Sequence, residues 1–105
     1  MTEDTDIFNA ADADAVGREQ RKAERAESRR LAAFKAVMAT PEGRRYVWWL
    51  LERCGVFRTS FTGDSATFFN EGQRNVGLTL LGDIHAVCPE HYLTMLTEAE
   101  EDTNG

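Results

Sequence analysis

The stretch Thr40-Pro41-Glu42-Gly43-Arg44-Arg45-Tyr46-Val47-Trp48-Trp49-Leu50-Leu51-Glu52-Arg53-Cys54-Gly55 decides how the rest of this chain is read. It opens as a helix start. A threonine hydroxyl accepts from the free N–H groups of a first turn, proline suits the first helical position, and Glu42 meets the positive end of the helix dipole. Tyr46 to Leu51 is apolar on nearly every side, which predicts a helix lying central in the fold. Gly55 after Cys54 is a natural stop.

Upstream, residues 18–39 are rich in Arg, Glu, Ala and Lys and contain no proline or glycine, which predicts a charged helix. Leu31, Phe34 and Met38 recur at helical spacing, and Ala23 and Ala26 continue the seam, so the second half of this helix should pack. Glu24 with Arg21, and Glu27 with Arg30, suit modest local ion pairing. Downstream, Val56 to Gly63 carries no helical stripe and reads as an extended loop that tucks Phe57 and Phe61 inward. Asp64 resembles the cap of a helix running roughly from Ser65 to Val87, with Phe69, Val76, Leu80, Ile84 and Val87 on its buried face and Phe68 and Leu81 widening it. Gly72, Gly77 and Gly82 each weaken that helix by roughly 1 kcal/mol relative to alanine, which points to close backbone approach by a neighbour. Pro89 ends it. Tyr92, Leu93, Met95 and Leu96 predict a last short helix. The expected fold is all-α: a small bundle of three main helices plus a short C-terminal helix over residues 17–97, between a mobile acidic N-terminal arm (1–16) and an acidic flexible tail (98–105).

The 105 residues fit one domain. Their 18 acids against 12 bases give a net charge of −6, unevenly spread. Residues 1–17 hold Glu3, Asp4, Asp6, Asp12 and Asp14 and no base; residues 18–39 hold seven bases against three acids; residues 78–105 hold six acids and no base. The acidic first segment has one apolar pair, Ile7-Phe8, and too little apolar surface to offset its ordering entropy. Arg18, Arg21, Lys22, Arg25, Arg29 and Arg30 are suited to phosphates, but interleaved Glu19, Glu24 and Glu27 and a pI near 4.8 favour a solvated or protein-docking face over nucleic-acid binding. No apolar run approaches the roughly 20 residues a bilayer span needs, and the start Met1-Thr2-Glu3-Asp4 is no export signal. Two cysteines in such a chain point to a reducing compartment.

Few constellations carry chemistry. His85-x2-Cys88-x2-His91 with Cys54 supplies ligand types for zinc, but Cys54 stands alone and Pro89 redirects His91, so packing is the favoured role for both thiols. Asp83, His85 and Cys88 lie close in sequence, but a catalytic triad is a spatial arrangement that the sequence does not show, and no phosphate loop occurs. The expectation is a protein that is not an enzyme and takes no cofactor. The adjacent Trp48 and Trp49 point about 100° apart on a helix, so full burial of both requires cover on two faces. Most of this aromatic stretch is expected to be intramolecular core; for a face left over to an oligomer or partner, Trp49, Arg53, Phe57 and Arg58 are the candidate residues, with Arg25 and Arg29 on the charged helix.

Thr40-Pro41-Glu42-Gly43-Arg44-Arg45, Trp48-Trp49-Leu50-Leu51, Cys54-Gly55-Val56-Phe57 with Thr62-Gly63, and Phe68-Phe69-Asn70-Glu71-Gly72 followed by Arg74-Asn75-Val76-Gly77 together resemble the Bbp-nineteen-like phage domain, over about residues 36–88. The resemblance implies a small protein of tailed bacteriophages or prophages, with a part in particle assembly or in the virion. It brings no catalytic residues. Asn70, Glu71, Arg74 and Asn75 lie close on one helix and suit a polar cluster with Arg44, Arg45 or the Thr59–Thr62 hydroxyls; a hydrogen-bonded network fixing the loop is favoured over a partner-facing patch. The leading expectation is a non-enzymatic phage protein binding other phage structural proteins, or itself, as an assembly factor or a small virion, portal-associated or ejected component, located in the host cytoplasm during infection or in the virion. The alternative is an early-type inhibitor of a host enzyme, with the acidic arm in the role of nucleic-acid phosphates.

Overall fold

The computed structural model describes residues 2–105, with side-chain surroundings from residue 10 onward. Four helices follow in order: α1 (Thr2–Met38), α2 (Pro41–Arg53), α3 (Ala66–Val87) and α4 (Glu90–Asn104). The described residues contain no strand, so the fold is all-α as the sequence led us to expect. The chain divides into two compact units, residues 1–32 and 33–105.

The first unit is the run of α1 up to Ala32. Helix begins well before the expected residue 18, because Ala10, Ala11, Ala13 and Ala15 are strong helix formers and Asp12 and Asp14 lie nearer the positive end of the dipole than the bases that follow. No side chain from 10 to 16 is buried, so this stretch remains an acidic arm, helical in form and without packing to hold it. The side chains of Glu3, Asp4, Asp6, Ile7 and Phe8 lie outside the described ones. Arg30 pairs with Glu27 at 2.7 Å and holds its carboxyl below the usual range. Glu24 accepts from Gln20 at 3.4 Å rather than pairing with Arg21.

The second unit holds the core: Met38, Val47, Leu51, Val56, Ile84, Cys88 and Met95, with Phe34, Trp48, Leu80, Leu81, Val87 and Tyr92 packed around it. The last turn of α1 supplies Phe34 and Met38; α2, α3 and α4 pack pairwise on one another. The helix start at residue 40 forms as expected. Thr40 Oγ1 accepts from Gly43 N–H at 3.0 Å, and Pro41 opens the helix. Gly55 stops α2 with φ +76, a conformation that costs glycine little. Asp64 Oδ1 accepts from Ala66 N–H at 2.9 Å and from Thr62 Oγ1 at 2.7 Å, closing the start of α3; both bonds favour the ionised form and hold the carboxyl below its ordinary range.

Three packing expectations are corrected. The loop does not tuck its aromatics inward: Phe57 and Phe61 are exposed, because Val56 alone turns into the core. On α3 only the C-terminal half is buried. Ile84 is inside and Leu80, Leu81 and Val87 are half-buried, whereas Phe68, Phe69 and Val76 face outward. Gly77 explains the difference: it lies at the contact with the end of α2, where a Cβ would meet Cys54 Cβ at 2.7 Å and also Val56 Cγ2. That contact fixes the rotation of the helix and puts Val76 on the far side. A Cβ on Gly72 or Gly82 would meet nothing within 4 Å, so close approach holds at one glycine of the three. Finally, α4 is longer than expected and includes the acidic tail through Asn104. Arg44 holds Glu98 through two bonds of 2.8 and 3.3 Å, and Arg45 holds Asp102 at 3.0 and 3.3 Å, which extends the helix past residue 98.

Candidate functional site

Trp49 and Arg53 lie one turn apart on the outer side of α2. The chain then reverses. Gly55 N–H donates to Glu52 O at 3.0 Å, Val56 N–H to Leu51 O at 3.3 Å and Arg58 N–H to Gly55 O at 3.2 Å. This turn brings Phe57 and Arg58 back beside the helix they follow. Arg58 Nη2 donates to Glu52 O at 3.2 Å, satisfying a carbonyl of the last turn and fixing the guanidinium at the end of α2. The Phe57 ring stacks on Trp48 with centroids 5.2 Å apart, and Tyr46 lies against Trp49 at 5.5 Å.

Trp49, Glu52, Arg53, Phe57 and Arg58 together line a cleft of about 450 Å³. The four residues singled out from the sequence therefore meet in one place. Trp49 is 52% exposed and Phe57 47%, so two aromatic side chains are half open to solvent at the cleft wall. Among the described residues neither Arg53 nor Arg58 has a carboxylate within ion-pair distance, whereas Arg44 and Arg45 both do. The cleft thus sets two arginines that no carboxylate meets within ion-pair distance beside two exposed aromatics, with Glu52 on the same lining. Arg25 and Arg29 belong to the first unit, where with Arg21, Glu24 and Ser28 they line a groove along α1.

The expected polar cluster divides. Asn70 Nδ2 donates to Ser60 O at 3.3 Å, and Glu71 hydrogen-bonds the Ser60 hydroxyl, so these two fasten the loop to α3. Arg74 Nε is buried with no hydrogen-bond partner among the described residues, and Asn75 is exposed with its carbonyl accepting from Thr79 Oγ1 at 3.1 Å. Arg44 belongs elsewhere: besides Glu98, it donates to Met38 O at 2.9 Å and so ties the end of α1 to α2 and α4. The Glu98 bond raises its pKa above the ordinary arginine value. Arg45 likewise holds the Asp102 carboxyl below the usual range. Sequence reasoning missed both pairs, although Glu98 and Asp102 lie one helical turn apart on a shared face. The thiol and imidazole groups are not gathered. Cys88 is fully buried in the core, which pushes its thiol pKa up, Cys54 packs at Gly77, and the exposed His85 lies against Tyr92 with ring centroids 5.6 Å apart. No group of three potential metal ligands occurs among the described residues.

A family model described as Bbp19-like phage protein matches residues 34–97, more than half of the chain. The chain belongs to this phage protein family. The match begins at Phe34, the first residue of α1 packed on the core, and contains all seven buried apolar residues as well as the cleft. The basic stretch of α1 lies outside it, as does the end of α4 with Asp102. No curated protein and no solved structure matches the chain. None of the described helices is long and apolar enough to cross a membrane.

Proposed function

We propose that this Bbp19-like protein is not an enzyme but a binding protein, which joins other phage proteins during virion assembly or within the particle. The cleft of Trp49, Arg53, Phe57 and Arg58 carries this reading. Its composition is that of a binding hot spot: tryptophan and arginine concentrate interface energy because they combine large apolar area with charge. Two arginines against the one carboxylate of Glu52 leave the cleft net positive, which favours a partner surface bearing carboxylates beside an aromatic or aliphatic side chain. Phage membership supports the setting, and the pairing of exposed rings with two arginines outside any described ion pair supports the mode.

The test has two arms. Mass spectrometry of gradient-purified particles against infected-cell lysate asks whether the chain is in the virion at a fixed copy number. Affinity capture from the same lysate compares the wild-type chain with Trp49→Ala and Arg53→Glu. The reading expects a phage structural protein captured by the wild type and lost with either substitution. Capture of a host enzyme instead, with the chain absent from particles, replaces it with the inhibitor reading. Capture that is indifferent to both substitutions removes the cleft from the interface.

A further inference from the structure

A helix lying on a bundle normally shows the core an apolar stripe and the solvent a polar one; a helix apolar on both sides is covered on both sides. α3 is of the second kind. At 100° per residue, Gly77, Ile84 and the C-cap residue Cys88 lie on the side facing α2 and α4, while Phe68, Gly72, Asn75, Val76 and Thr79 fall on the opposite side with Phe69 at its edge. On that outer side Phe68 is 80% exposed, Phe69 68% and Val76 64%. No charged residue interrupts the stripe from Phe68 to Thr79.

We propose that this face of α3 pairs with the same face of a second copy, antiparallel about a two-fold axis passing beside Gly72. A two-fold contact must be self-complementary, with residue i meeting j and j meeting i. The stripe meets that demand about position 72. Phe68 of one copy lies over Val76 of the other, Phe69 over Asn75, and Gly72 over Gly72. A Cβ on Gly72 would meet none of the described residues within 4 Å, so its missing side chain leaves room for a second backbone at the crossing point. Two copies of a chain of net charge −6 repel each other over most of their surface; the uncharged stripe is where they meet without opposing like charges. The area suffices. Phe68, Phe69 and Val76 expose about 400 Å² of apolar surface per copy, in the range of functional patches, and about 800 Å² is doubled from them alone. With the exposed Asn75 and Thr79 beside them, complete burial of the stripe brings the total to about 1,000 Å², the lower bound of a specific interface. This surface lies on the side of α3 away from the end of α2, so it is independent of the cleft.

The two-fold makes a specific demand: position 72 faces itself. The full chain is examined by sedimentation velocity over a concentration series as wild type, Gly72→Glu and Gly72→Lys. Both substitutions put a better helix former at a position where a Cβ meets none of the described residues within 4 Å, so the monomer is expected to keep its fold, checked by circular dichroism. The wild type is expected at twice 11.8 kDa, each variant alone at 11.8 kDa, and an equimolar mixture of the two variants again at the dimer mass, with an affinity at least tenfold above either variant alone. A wild type that stays monomeric across the series overturns the proposal. So does a dimer indifferent to both substitutions, and so do variants that fail to recover on mixing, for these place another partner or another geometry on the stripe.

Discussion

Gly77→Ala tests the contact that sets the rotation of α3, and it works against helix propensity. Alanine in a helix interior is better than glycine by about 0.8–1.0 kcal/mol, so propensity alone predicts a gain. At this position the new methyl would meet Cys54 Cβ at 2.7 Å and Val56 Cγ2 as well. Neither neighbour can swing aside. A Cβ moves only with its backbone, and the branched Val56 side chain has little rotamer freedom and is itself in the core. Overpacking of this kind costs about 1–3 kcal/mol, and two stiff neighbours put Gly77 at the upper end. The net is a loss of about 2 kcal/mol, or a midpoint lower by roughly 8–16 °C in a domain of this size.

Gly82→Ala is the internal control, because a Cβ there meets nothing within 4 Å; the same exchange should gain about 1 kcal/mol. Urea unfolding followed by the fluorescence of Trp48 and Trp49, at low protein concentration, reads both variants on one scale. The two changes must have opposite signs. A Gly77→Ala protein as stable as the wild type would refute the packing of the α2 end on Gly77, and with it the assignment of Phe68 and Val76 to the solvent side.

Three other perturbations have definite outcomes. Thr40→Ala removes the hydroxyl that accepts from Gly43 N–H and should cost about 1 kcal/mol in the same urea assay, whereas Thr40→Ser should cost little. Acid should loosen the end of α4: Asp102 ordinarily titrates at 3.8 and is held lower in the folded chain by Arg45, so its contribution is complete above that value and is lost as pH falls through the lowered one. Hydrogen exchange at residues 98–104 should therefore speed up as pH is taken below about 4, once intrinsic rates are corrected for, and Asp102→Asn should show the fast behaviour already at neutral pH. The fully buried Cys88, its thiol pushed up mainly by burial, should react with a disulfide reagent far more slowly than Cys54, and only at the rate of global opening. Equal rates for the two thiols would contradict the core assignment.

What was legible in the sequence was local chemistry. The start of α2 at Thr40-Pro41, its end at Gly55 and the cap of α3 at Asp64 each need only neighbours within a few residues, and each formed as read. The aromatic and arginine cleft was legible for the same reason, since Trp49 to Arg58 is one helix end and its returning turn. What failed needed the partner element. Val76 and Phe69 look like core to any periodicity argument, because α3 is apolar on two sides and periodicity gives a face without saying which face the bundle takes. Gly77 makes that choice, and its neighbours Cys54 and Val56 lie about twenty residues away in the chain. The Arg44–Glu98 and Arg45–Asp102 pairs span more than fifty residues, which is why an acidic tail expected to fray is helical.

The proportions of the packed unit argue that it is built for contact. Seven apolar residues are buried in residues 33–105, while Tyr46, Trp49, Phe57, Phe61, Phe68 and Phe69 all face solvent. A domain of this length has a marginal core to begin with, and placing most of its aromatic residues outside it forgoes the largest burial available to it. Such an arrangement is stable in proportion to what covers it. Every partner that binds only the folded chain adds to its stability by mass action, so the isolated protein and the assembled one should differ in melting temperature by an amount set by partner concentration. On the two proposals above, the stripe of α3 would gather copies of the chain, and the arginine-bearing cleft at the end of α2, repeated in each copy, would join the assembly to an acidic neighbour with an avidity that one cleft alone does not reach.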